Sequence, residues 1–210
     1  MITINILTRT SNRPNYFRNN YNSIINQKFE SNIKINHIVS YDTKETYEYL
    51  KNYDRIKIIE VNKFTRTKTH SFPYNIYFNE MHKHIESGFI MYLDDDDSLN
   101  DDNSINQIIN ELDENKLLIW RVKSINNRII PNINNIKNRK ICYCDFTSNC
   151  FIYHSKWLEN KKLLWQPVKG GDYKFGLLLF KTIKQIKTID KIICKIDNFS
   201  GNGMQNDNLD

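Results

Sequence analysis

The sequence has little that would tie it to a membrane or to a disulfide framework. No stretch of its 210 residues approaches a membrane span, and the first residues are too few and too polar for a signal sequence. Its four cysteines have no paired spacing and no histidine at ligand distance, which favours free thiols over zinc or disulfides. We therefore expect a soluble, cytoplasmic protein, or a domain of a longer chain.

A basic stripe is also missing. The net charge of +6 comes from scattered lysines and arginines that meet one concentrated acidic cluster, so we expect no nucleic-acid partner. A basic surface around an acidic cluster suits a polyanionic substrate such as a nucleoside diphosphate. The length and the hydrophobic content of 40% predict one globular domain with a sizeable core.

The acidic cluster follows a short apolar stretch. Residues 89–93 are Phe-Ile-Met-Tyr-Leu, typical of a strand buried on both faces, and residues 94–97 are four consecutive aspartates. Carboxylates so close together repel one another unless a cation lies among them. Mg²⁺ and Mn²⁺ prefer such oxygen ligands and often bind through one or two carboxylates plus substrate phosphates. The plainer alternative is a solvated acidic turn that caps the next helix.

Apolar periodicity predicts alternating strands and helices. Strands are expected at residues 2–8, 33–40, 56–61, 89–93, 117–123 and 146–153, with one or two more in 187–197. Helices are expected at residues 14–28, 44–52, 73–88, 105–112, 155–160 and 173–183, and a flexible tail at 201–210. This order predicts an α/β domain with a mostly parallel central sheet flanked by helices.

Polar side chains follow three of the predicted strands. Thr8, Asp42 and the aspartates at 94–97 each come where a strand ends. Because ligands of parallel sheets gather at the carboxyl ends of the strands, we expect these three segments to form one binding site.

These segments resemble a known family. Residues 8–14, Asp42, the stretch 89–97 and Gly170-Gly171-Asp172 occur in the order and spacing of the GT-A glycosyltransferases, and among them of the family 2-like inverting enzymes with a DxD motif. The resemblance spans most of residues 1–185. Gly171 stands where many members carry glutamate before the aspartate.

The resemblance implies a metal-dependent transfer of a sugar from a nucleoside diphosphate donor, a UDP-sugar, to a hydroxyl of a glycan, protein or lipid, with inversion. Asp94 and Asp96 would hold Mn²⁺ or Mg²⁺, and Asp172 would be the general base. The residues assigned to the donor are Thr8, Arg13, Asp42, Asn75, Asp94 and Asp95, with Asp95 facing the ribose or sharing the ion. Residues 1–100 would form the nucleotide-binding half of a domain spanning 1–200, and residues 101–200 the acceptor-binding half.

Each assignment has a structural alternative. Asp42 is equally suited to an Asx turn, Arg13 to an exposed position near a helix start, and Asn75 to a solvated one. Asp97 is interpreted as a helix-side carboxylate. Asp172 has the place of an ordinary helix N-cap, where the helix dipole would lower its pKa, and its two glycines would let the backbone approach a substrate.

Other functions remain open. A nucleotidyltransferase would normally have a glycine-rich loop after the first strand, and residues 8–14 contain no glycine. An EF-hand starting at Asp94 fails because Leu99 and Ile105 replace the required glycine and glutamate. A non-catalytic domain that binds sugar nucleotides or glycans, and a retaining transferase, stay as alternatives. Trp165 is a candidate for stacking on a sugar, or a core residue.

Overall fold

A computed structural model describes residues 1–29, 32–124, 126–159 and 163–197. The strands are β1 (Ile2–Arg9), β2 (Ile33–Tyr41), β3 (Ile56–Glu60), β4 (Phe89–Tyr92), β5 (Asp97–Leu99), β6 (Lys116–Lys123), β7 (Ile129–Ile130), β8 (Phe151–His154) and β9 (Gln185–Ile196). The helices are α1 (Pro14–Ile25), α2 (Lys44–Leu50), α3 (Tyr77–His82), α4 (Ser104–Ile109), α5 (Ile133–Lys137) and α6 (Gly171–Thr182). Short 3₁₀ turns lie at Pro73–Ile76, Ser148–Cys150 and Ser155–Leu158. The tail expected at 201–210 lies outside the described residues.

All the described strands belong to one sheet. Its order is β3-β2-β1-β4-β8-β6-β9-β5, with β7 paired to β6. The first four strands in this order are parallel, as are β6 and β9, whereas β8, β5 and β7 pair antiparallel with their neighbours. The predicted α/β class and the parallel first half are confirmed.

Local sequence explains where the helices of the first half begin. Pro14 occupies the first turn of α1, where its missing N–H costs nothing, and Phe17 and Tyr21 form the buried face of that helix. At α2, the Thr43 hydroxyl accepts a hydrogen bond from the Thr46 amide and caps the helix. Both helices are therefore specified by the residues at their starts.

The two faces of the sheet are covered by different helices. Val39 of β2 packs in a small cluster with Phe17 of α1 and Leu50 of α2. Its neighbour Ile38 belongs to the main core, which includes Phe78 of α3. Because successive strand residues point to opposite faces, α1 and α2 cover one face of β2 and α3 covers the other.

Several strands and helices differ from expectation in their details. The strand predicted at 146–153 is only β8, because Ser148 and Asn149 are buried in a 3₁₀ turn before it. The helix predicted at 73–88 begins as a 3₁₀ turn and ends at His82. A strand, β5, occupies the end of the aspartate run, which no periodicity had suggested. None of the helices within the described residues has the length and apolar character needed to cross a membrane.

Candidate active site

The four aspartates at 94–97 form a tight turn shortly after β4. The Asp97 amide donates a hydrogen bond to the Asp94 carbonyl at 2.9 Å. The side chain of Asn20, in α1, donates to carbonyls of the same turn. The Asn20 amide nitrogen lies 3.3, 2.9 and 3.0 Å from the carbonyl oxygens of Leu93, Asp94 and Asp97. Asn20 is fully buried, so these contacts fix the direction in which the aspartate side chains leave the turn.

The first aspartate is paired with Arg9, which the sequence did not point out. Arg9 Nε and Nη2 donate to the two carboxylate oxygens of Asp94 at 2.7 and 2.8 Å, a bidentate pair. The guanidinium also lies over the Phe78 ring, 4.6 Å from its centroid. Burial lowers the pKa of Arg9, but Asp94 outweighs it, and the pKa is raised overall. Arg9 is therefore a permanent positive charge at the DxD motif.

Arg13 neutralises the next two aspartates. Its Nε lies 3.0 Å from Asp95 Oδ2, its Nη2 contacts Asp95 Oδ1, and its Nη1 lies 3.1 Å from Asp96 Oδ2. Burial lowers the pKa of Arg13 while Asp95 and Asp96 raise it, with a net rise. The cations expected among the carboxylates thus include two arginines of the chain itself.

Asp95 and Asp97 do not occupy the positions expected of them. Asp95 is 1% exposed and also accepts from the Thr10 hydroxyl at 2.7 Å, so it holds the loop after β1 rather than facing a ribose. Burial raises its pKa to about 7, against the opposing effect of Arg13. Asp97 is a buried residue of β5, not a helix-side carboxylate. The alternative of a solvated acidic turn is excluded by this burial.

Asp172 lies in the first turn of α6. Burial raises the pKa of its carboxyl to about 6, with Arg9 opposing the rise and Asp94 adding to it. The expectation of a lowered pKa is wrong, because burial outweighs the effects that lower the pKa of this carboxyl. A carboxylate with this pKa is a stronger base than an ordinary aspartate and is still ionised at neutral pH.

The two glycines before Asp172 serve the packing of the protein. Gly170 has φ of +71°, and a Cβ there would lie 2.4 Å from Tyr143 Cε2. A Cβ at Gly171 would lie 2.2 Å from Asn75 Nδ2. Both glycines therefore admit neighbouring side chains, and because both also line the cavity that contains Asp172, the substrate approach suggested by the sequence stays a prediction.

Asn75 connects this segment to Arg9. Its Oδ1 accepts from Arg9 Nη1 at 2.7 Å, and its Nδ2 donates to the carbonyls of Gln166 and Val168 at 3.1 and 3.2 Å. Asn75 is buried, contrary to the solvated alternative. The side chain links the arginine of the DxD motif to the loop that leads into Asp172.

Thr8 and Asp42 have internal partners. The Thr8 hydroxyl donates to the Leu93 carbonyl at 2.7 Å and lies 2.9 Å from His37 Nε2, and the residue is fully buried. No surface of Thr8 is left for contact with a nucleotide, so Thr8 does not belong to the candidate site. Asp42 accepts from Ser11 at 2.9 Å and Tyr77 at 2.8 Å, which places its carboxylate between the loop after β1 and α3.

Trp165 is a core residue rather than a sugar platform. It is buried, and its ring stacks on Phe175 with centroids 4.2 Å apart. Trp120 is also buried in the core. All four cysteines are free, as predicted, and Cys150 and Cys194 are buried.

A cavity of about 430 Å³ brings together the candidate residues Arg13, Asn75, Asp94, Asp96 and Asp172, whereas Thr8, Asp42 and Asp95 do not line it. Its acidic lining residues are Asp94, Asp96 and Asp172, its basic ones Arg9, Arg13, Arg128 and Lys169, and its aromatic ones Phe72, Tyr74, Tyr143, Phe146 and Tyr173. Asn75 also lines the cavity. One open cavity therefore combines paired carboxylates, fixed cations and aromatic rings, the combination expected of a site for a charged, ring-containing substrate.

The carboxylates of the cavity suit a divalent cation whose coordination is completed by a substrate. Within the described residues no group of three metal-ligating side chains lies close enough to hold an ion alone. Asp94 and Asp96 offer hard oxygen ligands at the cavity wall, which fits an ion completed by substrate phosphates rather than by a protein cage. Because both oxygens of Asp94 accept from Arg9, a cation has to compete with that guanidinium.

Solved structures with the same fold were found at low sequence identity. S. aureus TarS 1–349 in complex with UDP-GlcNAc has a TM-score of 0.73 and 19% identity, covering 97% of this chain and 60% of that one. S. aureus TarS itself has a TM-score of 0.70 and 16% identity, covering 94% and 37%. A mannosyltransferase, PcManGT from Pyrobaculum calidifontis in complex with GDP-Man and Mn²⁺, has a TM-score of 0.64 and 12% identity, covering 95% and 58%.

These comparisons define the fold. The chain spans 37% to 60% of the length of these three solved structures. No family model and no curated protein sequence matches the chain. The match extends over nearly the whole chain and is therefore consistent with the strand order and with the position of the acidic turn after β4. The protein has the fold of the GT-A glycosyltransferases.

Proposed function

We propose that the protein transfers a sugar from a nucleoside diphosphate donor, a UDP-sugar, to an acceptor hydroxyl with inversion. The observation that carries the proposal is the shared cavity, in which Asp94 and Asp96 lie with Arg9, Arg13 and Asp172. The fold supports the reaction class, and neighbours whose structures contain UDP and UDP-GlcNAc support a uridine donor. Residues 1–100 would form the donor half of the site and residues 101–200 the acceptor half.

Donor binding is assigned to the basic side of the cavity. Arg9 and Arg13 carry the fixed charges that would neutralise the diphosphate, and Asn75 orients Arg9. Asp42 is kept as the partner of the nucleotide base, because it follows β2 next to the loop that carries Arg13. Asp94 and Asp96 would hold Mn²⁺ or Mg²⁺, which when bound neutralises negative charge that develops on the departing diphosphate.

Asp172 is the proposed general base. The acceptor hydroxyl oxygen forms a bond to the anomeric carbon while its proton passes to the Asp172 carboxylate. The bond between the anomeric carbon and the diphosphate oxygen breaks, and its electron pair leaves with the nucleoside diphosphate. Attack from the face opposite the leaving group inverts the configuration. Burial of Asp172 raises its pKa to about 6, which suits this role near neutral pH.

The proposal is tested by binding and transfer together. UDP and UDP-sugars should raise the melting temperature in the presence of Mn²⁺, and much less with a chelator. Asp172→Asn should keep this shift and lose transfer by a factor of about 10²–10⁴. The exposed Asp190→Asn is the matched control. Equal stabilisation with chelator would contradict the metal assignment, retention seen by NMR of the product would contradict inversion, and a transfer-competent Asp172→Asn would overturn the base.

The cellular compartment is proposed on the cysteines alone. Four free thiols, two of them buried, are typical of proteins in a reducing compartment. We propose a cytoplasmic location on that basis.

A further inference from the structure

The wall of the cavity next to Asp172 carries an exposed aromatic side chain. Tyr143 is 53% exposed, the largest exposed fraction among the aromatic residues of the described chain. It lines the cavity together with Asp172 and Tyr173. An aromatic side chain left half in solvent forgoes much of the stabilisation that burial would give, so a ligand that covers it would gain that stabilisation.

The position of Tyr143 is fixed from two sides. One edge of its ring contacts the backbone of Gly170, two residues before Asp172, where a Cβ would lie 2.4 Å from Tyr143 Cε2. Its centroid lies 5.8 Å from that of Tyr173, with the rings at 83°. In a pair at this angle, the Tyr173 ring covers at most one face of the Tyr143 ring. The ring is thus held in place beside the proposed base.

The backbone that presents Tyr143 is strained. Cys144 has φ of +61°, in the left-handed region that residues with a Cβ rarely adopt, and the Asp145 amide closes the turn on the Cys142 carbonyl at 3.1 Å. Such a conformation is unfavourable for a residue with a Cβ, and positions of this kind cluster at ligand sites. This backbone conformation is an observation separate from the ring contacts, and it occurs at the residue that follows Tyr143.

Polar groups line the same cavity as the ring. Lys169 precedes Gly170, which Tyr143 contacts, and Arg128 is held at 3.4 Å by Asp145, two residues after Tyr143. A flat apolar face with hydrogen-bonding groups around it matches a pyranose ring, which has an apolar face of C–H groups and a rim of hydroxyls. An extended peptide or an acyl chain would satisfy the apolar face but leave the polar rim without partners.

We propose that Tyr143 is the platform on which the acceptor stacks, and that the acceptor is a carbohydrate presenting a pyranose hydroxyl to Asp172. The inference rests on the proposed function, because it takes Asp172 as the base. It specifies the acceptor class and assigns Tyr143 a binding role, with no part in proton transfer.

The test uses simple sugars and the full chain. Methyl β-D-glucopyranoside, methyl β-D-galactopyranoside and methyl α-D-mannopyranoside are offered in turn with UDP and Mn²⁺, and saturation-transfer NMR records contact. At least one should bind through the protons of its apolar face. Tyr143→Ala should weaken this binding about tenfold, because a whole aromatic face is lost, whereas Tyr143→Phe should retain it. Tyr47→Ala, which removes an exposed tyrosine of α2, should have no effect.

The outcomes separate this inference from the proposed function. Binding of no pyranoside, or equal binding to Tyr143→Ala, overturns the acceptor assignment even when UDP raises the melting temperature. Preferential binding of a serine-containing peptide, offered as a fourth probe, also overturns it. Failure of UDP to stabilise the protein would contradict the donor assignment, while the pyranoside result would still decide the role of Tyr143.

Discussion

Arg9 holds both oxygens of the Asp94 carboxylate, at 2.7 and 2.8 Å, so the first aspartate of the DxD motif is occupied by a guanidinium of the same chain. Arg9 is itself held by Asn75 and by the Phe78 ring. A divalent cation at Asp94 would therefore have to replace the guanidinium as the partner of this carboxylate. Under the proposed function, the released arginine would then be available to the diphosphate of the donor.

Replacement of Arg9 tests this exchange. Arg9→Gln removes the competing positive charge from Asp94, so we expect Mn²⁺ to bind roughly tenfold more tightly in the absence of donor, as measured by calorimetry. UDP should bind more weakly to the same variant, because a diphosphate partner is lost. Arg18→Gln, an exposed arginine of α1, is the control and should change neither affinity. Unchanged Mn²⁺ affinity in Arg9→Gln would mean that the guanidinium does not compete.

The pKa of Asp172 predicts how the rate depends on pH. A general base acts in its ionised form, and the pKa of this carboxyl is about 6. We expect kcat/KM to be constant above about pH 7 and to fall about tenfold per pH unit below 6. The residual rate of Asp172→Asn should lack this acidic limb. A limb that persists in Asp172→Asn would assign the titration to another group.

Asn20 is expected to be among the most sensitive polar positions of the fold. Asn20→Ala removes a buried donor shared by the carbonyls of Leu93, Asp94 and Asp97, and should lower the free energy of unfolding by about 3 kcal/mol in urea denaturation. Asn22→Ala, at an exposed position of the same helix, should change it by less than about 0.5 kcal/mol. Equal effects of the two substitutions would show that the turn does not depend on Asn20.

The contact between Gly171 and Asn75 is open to a double-mutant cycle. Gly171→Ala places a methyl group 2.2 Å from the Asn75 amide nitrogen, so we expect it to cost about 1–3 kcal/mol of stability and to reduce transfer by displacing Arg9's partner. In an Asn75→Ala background the methyl group has room, and the added cost should be well under 1 kcal/mol. If the losses of stability from the two substitutions simply add, the cost of Gly171→Ala does not come from its contact with Asn75.

The sequence predicted the first half of the fold well because short-range signals determine it. Pro14, Thr43 and the apolar runs of β1, β2 and β4 each carry their information locally, and the parallel order follows from their alternation. Strand β5 was missed, since its three residues, of which only Asp97 belongs to the acidic run, are too few to show a periodicity. It forms through its pairing with β9, nearly a hundred residues further along the chain.

The positions of some candidate residues around one cavity were predicted, whereas the contacts of their side chains were not. That Asp94, Asp96 and Asp172 line one cavity follows from strand ends and helix starts. The burial of Asp95 and the partners of Arg9 depend on how side chains from distant segments meet, and no local pattern records this. Arg9 could have been found, because it ends β1 next to β4 in a parallel sheet.

The acidic turn is completed by the last strand of the described chain. The Asp197 amide donates to the Asp96 carbonyl at 2.8 Å, and Ser98 donates to the Asp197 carboxylate at 2.6 Å across a separation of 99 residues. During synthesis, β1 to β4 can pair long before β9 has left the ribosome. The two hydrogen bonds of Asp197 are thus the last contacts of the acidic turn that can form, after those of Arg9, Arg13 and Asn20.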